Sequence, residues 1–298
     1  MSYIWQSPKK IAKEILDKFP ELHPLVVQLL YNRGLNSQEK IDEFLYPDYS
    51  RDIYDPYLFK DMAKACARIN MAIEKKEKIT IYGDYDADGV CASVILQTIL
   101  KKLGAIVEVY LPHREKQGYG LNKNSVKEII DGGTTLIISC DCGISNVEEV
   151  AFAKENKTEV IITDHHSIPD ILPDALAIIH PKIADEKYPF KFLAGGGVAF
   201  KLAQGLLKTT DKLLDKEKEI EEKWLLDLVA LATIADMVPL VKENRVLAYY
   251  GLRVLEKTSR PGIVALFRRL DINSKYITED DISFMLAPRI NIASRMGH

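Results

Sequence analysis

From residue 61 the chain alternates amphipathic segments with short apolar runs. "DMAKACARINMAIEKKE" carries apolar residues at helical spacing, and "KITIYG" is a β-branched run ending in glycine. "GVCASVILQTILKKLG" predicts a helix closed by Gly104, "AIVEVYLP" a strand, "NKNSVKEIIDGG" a capped helix and "TTLIISCD" a strand. "NVEEVAFAKENK" predicts a helix, "EVIITDHH" and "ALAIIHP" two strands, and "GGGVAFKLAQGLLK" a helix opened by a glycine-rich turn. Strands spaced by helices of this length predict right-handed βαβ units, hence an α/β fold with a parallel β-sheet flanked by helices.

The flanks read differently. "SPKKIAKEILDKF" predicts a helix opened by Ser7 with Pro8 just inside, and "SQEKIDEFLY" a second helix capped by Ser37. "YPDYSRDIYDPYLF" is aromatic and Pro-punctuated, and predicts an irregular wrap on a neighbouring surface. After residue 209 come a charged, solvated helix, "DKLLDKEKEIEEKW", and a very apolar one, "LLDLVALATIADMVPL". "NRVLAYYGLRVLEK", "GIVALFRRL" and "TEDDISFMLAPRIN" are helical in pattern. The expected organisation is a helical N-terminal accessory segment (1–60), an α/β domain (61–240) and a helical connector (241–298).

Composition narrows the class. Of 298 residues 47% are hydrophobic and 28% charged, which is globular, and no apolar run reaches membrane-spanning length. The start "MSYIWQSPKK" has no signal-peptide core, so the expected location is cytoplasmic. Four cysteines are too few for a disulfide framework, and Cys140 and Cys142 form CxC rather than the CxxC of a zinc ribbon. They read as small buried residues. The net charge of −3 argues against a nonspecific duplex binder without excluding nucleic acid, because an acidic metal site concentrates negative charge locally.

Candidate chemistry sits at strand ends, where open α/β sheets bind ligands. Asp84, Asp86 and Asp88 follow "KITIYG", Asp141 follows "TTLIISC", and Asp164, His165 and His166 follow "EVIIT". Asp236 can join them from the apolar helix. Singly, each acid reads as a helix cap. Together they would repel by several kcal/mol on one low-dielectric rim, and divalent cations remove that cost. Carboxylates with imidazole suit Mn²⁺, with Mg²⁺ the alternative. Two ions sharing a carboxylate form a clamp for in-line attack on phosphorus.

"GDYDADG", "DCG", "TDHH" and "ATIADMVPL" resemble, in order, the four motifs of the DHH phosphoesterase superfamily. "GYGLN", "GGGVAFKLA" and "APRINIASRMG" resemble its RecJ family of single-strand-specific 5′→3′ exonucleases, over nearly the whole chain. The resemblance implies hydrolysis of single-stranded DNA to 5′-mononucleotides by two-metal activation of water, in recombination and repair. It implies metal ligation by Asp84, Asp86, Asp88, Asp141, His165 and Asp236, with Asp141 bridging two Mn²⁺ or Mg²⁺ ions. Tyr82 stands where many superfamily members carry a histidine. His166 would face the scissile phosphate, and Asp164 would orient an imidazole. Arg289 and Asn291 of "APRIN" would reach back to the substrate phosphate, with Arg295 a weaker candidate, and Arg114, which follows a strand, reads equally as a phosphate grip or a solvated side chain. Gly195, Gly196 and Gly197 open a helix whose free N–H groups favour an anion, Gly196 and Gly197 being the substrate-binding candidates, and they read equally as glycines for tight strand–helix packing. Tyr119 can stack or pack, Trp5 and Trp224 read as packing residues, and His180 and His298 carry no assignment.

RecJ-type enzymes continue past "RMG" into a DHHA1 domain and often an oligonucleotide-binding fold, so the chain reads as a monomeric catalytic core. Single-stranded DNA is the expected partner, with a single-strand-binding protein or a helicase as further ones. Two alternatives remain: a DHH oligoribonuclease or cyclic-dinucleotide phosphodiesterase, and a noncatalytic DHH-fold module binding DNA or the replisome. The N-terminal segment and "APRIN" weigh against the first, the complete ligand set against the second.

Overall fold

The computed structural model describes residues 4 and 6–296, so Trp5 and His298 lie outside the described residues. The chain forms two compact units, Met1–Asp52 and Ile53–His298. The smaller contains α1 (Lys13–Leu16), α2 (Pro24–Asn32), α3 (Gln38–Leu45) and α4 (Tyr49–Asp52) around Phe19, Val27, Leu30 and Ile41. Ser37 caps α3 as its sequence predicts, accepting from the Lys40 N–H. Ser7 opens no helix. Gln28 on α2 accepts the Ile11 N–H at 2.9 Å and donates to the Lys9 carbonyl, so this tertiary contact holds residues 9–11 out of the helix.

In the larger unit a 3-10 turn, Pro56–Leu58, leads into α5 (Met62–Glu74) and the α/β alternation. In chain order this runs β1 (Lys78–Gly83), α6 (Ala87–Lys102), β2 (Ile106–Tyr110), α7 (Arg114–Gln117), α8 (Lys123–Asp131), β3 (Thr134–Cys140), α9 (Val147–Glu155), β4 (Glu159–Thr163), β5 (Ala177–Ile179) and α10 (Gly195–Thr209). Every strand lies inside a run its apolar pattern predicts. The five strands are parallel in the order β2-β1-β3-β4-β5. The order reverses between β1 and β3, which is where a doubly wound sheet opens a crevice at its carboxyl edge. Tyr82, Ile137, Val160 and Ile162 pack against α8 and α9 on one face, while α5, α6 and α10 pack together on the other. Leu136, Ile137 and Ile138 of β3 are wholly buried. Each contributes roughly 1.5–3 kcal/mol of transfer free energy, anchoring the strand that ends at the rim.

α11 (Asp215–Trp224), α12 (Leu226–Ala235), α13 (Lys242–Leu255), α14 (Pro261–Leu270) and α15 (Ala287–Arg295) complete the unit. α12 is apolar all round because α6, α10 and α13 enclose it. Trp224 does not pack as expected and is 47% exposed. A π-helical turn, Asp281–Leu286, runs into α15. All four cysteines are buried free thiols, and no helix among the described residues is long and apolar enough to cross a membrane.

Candidate metal centre

Parallel register builds the rim. Gly83 pairs with Cys140, Cys140 with Thr163, and Thr163 with Ile179. The next residues, Asp84, Asp141, Asp164 and His180, therefore form one row beyond the last rung. The amides of the three aspartates continue the ladder onto the carbonyls of Cys140, Thr163 and Ile179. Their carboxylates are buried. Asp141 has φ +61°, a left-handed conformation that Asp tolerates better than most residues.

Two helix starts close over this row. Asp86 caps α6 by accepting the Gly89 N–H at 3.0 Å, and Asp88 lies in the first turn. The first two N–H groups of α10, from Gly195 and Gly196, donate to the two Asp88 oxygens at 2.7 Å each. The anion favoured at this helix start is thus supplied from within the chain. The Gly196 N–H is taken by Asp88 in this structure, and Gly197 is buried against Leu193. A Cβ on Gly195 would sit 2.5 Å from Asp141 Oδ1, so only glycine lets α10 approach so closely.

The histidine pair is fixed from both sides. Asp164 Oδ1 accepts from the His165 and His166 N–H groups and from His166 Nδ1, the last at 2.7 Å, while Oδ2 accepts the Ile144 N–H. His180 Nδ1 accepts the Lys182 N–H, so its proton sits on Nε2, which donates to the His166 carbonyl at 3.1 Å. Lys182 Nζ donates to the His165 carbonyl. The Tyr119 hydroxyl donates to the Asp141 carbonyl at 3.2 Å and lies 3.0 Å from His166 Nδ1.

His165 Nε2 then points into the acids, 3.0 Å from Asp141 Oδ1, 3.6 Å from Asp88 Oδ2 and 3.7 Å from Asp236 Oδ2. Asp84, Asp86 and Asp141 present ligand atoms within 4.8 Å of one another, as do Asp88, His165 and Asp236. All six predicted ligands therefore come together, with Asp141 touching both groups. His165 Nε2, Asp141 Oδ1 and Asp84 Oδ1 are buried without a hydrogen-bond partner among the described residues. The first two face each other at 3.0 Å without pairing. Neighbouring ligands at ~2.1 Å bonds in an octahedral shell are separated by about 3.0 Å. The donor set fits a hard divalent cation.

The electrostatics agree. Burial, then Asp86, pushes Asp84 up to about 6, and the same two causes push Asp236 to about 6. Burial and neighbouring carboxylates carry Asp88 and Asp141 well above the carboxylate range. Burial and His166 lower His165 to about 3, so its imidazole is neutral and its lone pair is available to a metal. Burial would raise Asp164, but the His166 ring and backbone donors outweigh it and hold it low. His166 is raised, chiefly by its bond to Asp164.

The remaining candidates lie around this centre. The Arg114 guanidinium covers the Tyr85 ring, 5.0 Å from its centroid, beside the acidic turn. Arg289 Nη1 donates to the Phe284 and Met285 carbonyls, and the Asn291 side-chain oxygen accepts the Ala87 N–H at 2.7 Å. Asn291 thus holds the acidic turn itself. Arg295 is exposed on α15. Tyr82 is buried on the α8/α9 face, its hydroxyl bonded to the Gly120 carbonyl, away from the acids. His180, which the sequence leaves without an assignment, follows a strand end just as the aspartates do, and nothing in the sequence marks Lys182.

A family model described as "DHH family, N-terminal domain" matches residues 78–233. The single-stranded-DNA-specific exonuclease RecJ of Bacillus subtilis (strain 168) is 43% identical over 98% of the chain, which covers 36% of that relative's length. A crystal structure of exonuclease RecJ bound to manganese matches with TM-score 0.71 at 34% identity, covering 80% of this chain and 59% of that one. RecJ from Thermus thermophilus in complex with Mn²⁺ matches with TM-score 0.76 at 30% identity, covering 96% and 39%. The chain spans about a third to a half of the curated RecJ relatives it matches.

Proposed function

The chain belongs to the DHH family, and on that premise we propose that it is the catalytic core of a metal-dependent exonuclease acting on single-stranded DNA from the 5′ end. The observation that carries the reading is the pair of buried, unpaired ligand atoms, His165 Nε2 and Asp141 Oδ1, converging at 3.0 Å inside an acidic cluster. Asp84, Asp86 and Asp141 would hold one divalent cation and Asp88, His165 and Asp236 a second, with Asp141 shared. Bound there, Mn²⁺ or Mg²⁺ supplies Lewis-acid activation of water and neutralises charge on the phosphate.

The chain's own groups do the rest. Asp164 fixes His166 through Nδ1, leaving Nε2 as the nitrogen that can meet substrate, and the ring is 42% exposed. Its bond to Asp164 raises His166 and favours a proton on the ring. It would donate that proton toward the leaving 3′ oxygen. Tyr119 and the His180–Lys182 strand end keep the ring and its backbone in place. Arg114 and the exposed Arg289 would grip phosphate beside the acidic turn.

The test uses a 5′-phosphorylated, 3′-labelled single-stranded DNA with Mn²⁺, beside a 5′-labelled copy, a duplex and a short RNA. Release of 5′-mononucleotides from the single-stranded DNA alone is expected. Cleavage confined to oligonucleotides of a few residues would replace this reading with an oligonucleotidase. Absence of both cleavage and Mn²⁺ binding would overturn it.

A further inference from the structure

We propose that Asn291 is a positioning residue of the metal centre, which fixes the Asp84–Asp88 turn by capping α6 from a helix 204 residues away in sequence. This inference rests on the acidic cluster being a metal site. The start of α6 exposes N–H groups that need acceptors. Asp86 supplies one, to Gly89. The Ala87 N–H, between Asp86 and Asp88, cannot be served by the same geometry, and the Asn291 side-chain oxygen takes it at 2.7 Å. Two acids of the cluster thus flank the peptide that Asn291 holds.

The residue type suits the place. A carboxylate would accept this N–H equally well, but it would add negative charge beside carboxyls already forced upward by burial and mutual repulsion. An amide accepts without that cost.

The approach of α15 explains how Asn291 arrives. The π-helical turn Asp281–Leu286 is buried through Ile282 and Leu286. A π turn closes its hydrogen bonds over one more residue than an α turn, which rotates the helix that follows. Arg289 Nη1 donates to the Phe284 and Met285 carbonyls at 3.0 and 3.1 Å, tying the π turn to α15. Asn291, two residues on, then faces the start of α6.

A phosphate-gripping role and a positioning role separate in measurement. Asn291→Leu keeps the side-chain bulk and removes the acceptor. Ala87→Pro removes the donor at a helix position where proline is tolerated. Both break one bond from opposite ends, so by calorimetry each should weaken Mn²⁺ binding roughly five- to tenfold and the double variant no further. Melting temperatures in EDTA should stay near that of the parent. Unchanged Mn²⁺ affinity in Asn291→Leu, losses that add in the double variant, or collapse of the fold in EDTA would each overturn the proposal. A rise in KM for single-stranded DNA with intact Mn²⁺ affinity would also overturn it, in favour of direct phosphate binding. Failure of the parent chain to bind Mn²⁺ would sink the metal reading beneath it.

Discussion

Of the places where the larger unit buries charge, two do so in opposite ways. Lys201 of α10 and Glu243 of α13 are both 0% exposed, with Nζ and Oε1 2.6 Å apart. Lys201 Nζ also donates to the Tyr54 carbonyl and the Gln204 side chain, so its three protons each have an acceptor. Glu243 accepts from the Tyr188 hydroxyl at 2.5 Å and the Tyr54 N–H at 3.1 Å. The charges cancel and the bonds close. At the candidate metal centre the six proposed ligands include five carboxylates, and three of their buried atoms have no hydrogen-bond partner among the described residues. A satisfied buried ion pair holds helices in place, whereas converging acids pushed upward by burial and mutual repulsion suit a cation that neutralises them. The same helix, α10, serves both: its start binds Asp88 and its second turn carries Lys201.

Removing one member from each region should have opposite consequences. Asp141→Ala is expected to lower metal-dependent hydrolysis at least ~10⁴-fold, about 5.5 kcal/mol on the barrier, while melting in EDTA is unchanged or raised. Full activity in this variant would end the distinction. Lys201→Met strands Glu243 as an unpaired buried charge, and urea unfolding should show a loss of about 3–5 kcal/mol. A loss below ~1 kcal/mol would mean that solvent reaches the pair.

Metal should separate the regions next. At about a hundred times its dissociation constant, Mn²⁺ should stabilise the folded chain by ~2.7 kcal/mol. Thermal melts should show that gain in Lys201→Met if it still folds, but not in His165→Ala. A gain retained in His165→Ala would place the ion elsewhere.

The smallest effect concerns pH. Folding raises Asp84 from 3.8 to about 6, so the folded chain binds more protons there than the unfolded chain between those values. Its ionised form therefore destabilises the metal-free protein fully above about pH 6, and the penalty vanishes as pH falls through the window toward 4. In EDTA at pH 7 Asp84→Asn should be more stable than the parent by about 1–2 kcal/mol, and the two should converge near pH 4. Urea midpoints at both pH values check this, and a gap that widens on acidification would reverse the assigned sign. The comparison of two variants at each pH cancels the opposing slope from His165 and His180, which burial lowers to about 3 and about 4.

Much of this centre is legible in the sequence. The strands end where the apolar runs end, and parallel register then places every post-strand acid on one row. Asp84, Asp141 and Asp164 are legible for that reason, and His180 obeys the same rule although nothing in its neighbours draws attention to it. The glycine-rich start of α10 is recognisable as an anion site, but sequence could not say that the anion is Asp88, 107 residues earlier. Ser7 misleads because its local pattern is that of a cap, and Gln28 overrides it.

The sequence by itself determined the alternation of strands and helices, the buried faces and the chemistry collected at the carboxyl edge. Hydrophobic periodicity and motif spacing belong to contiguous residues and survive without knowledge of packing. Only the tertiary structure decided the partnerships: Asn291 with Ala87, Lys201 with Glu243, Gly195 and Gly196 with Asp88. Each joins residues far apart in the chain, and each depends on how one helix is rotated and set against another. A hydrogen bond fails over a shift of less than an ångström, so its partners are fixed by packing geometry that no local window of residues contains.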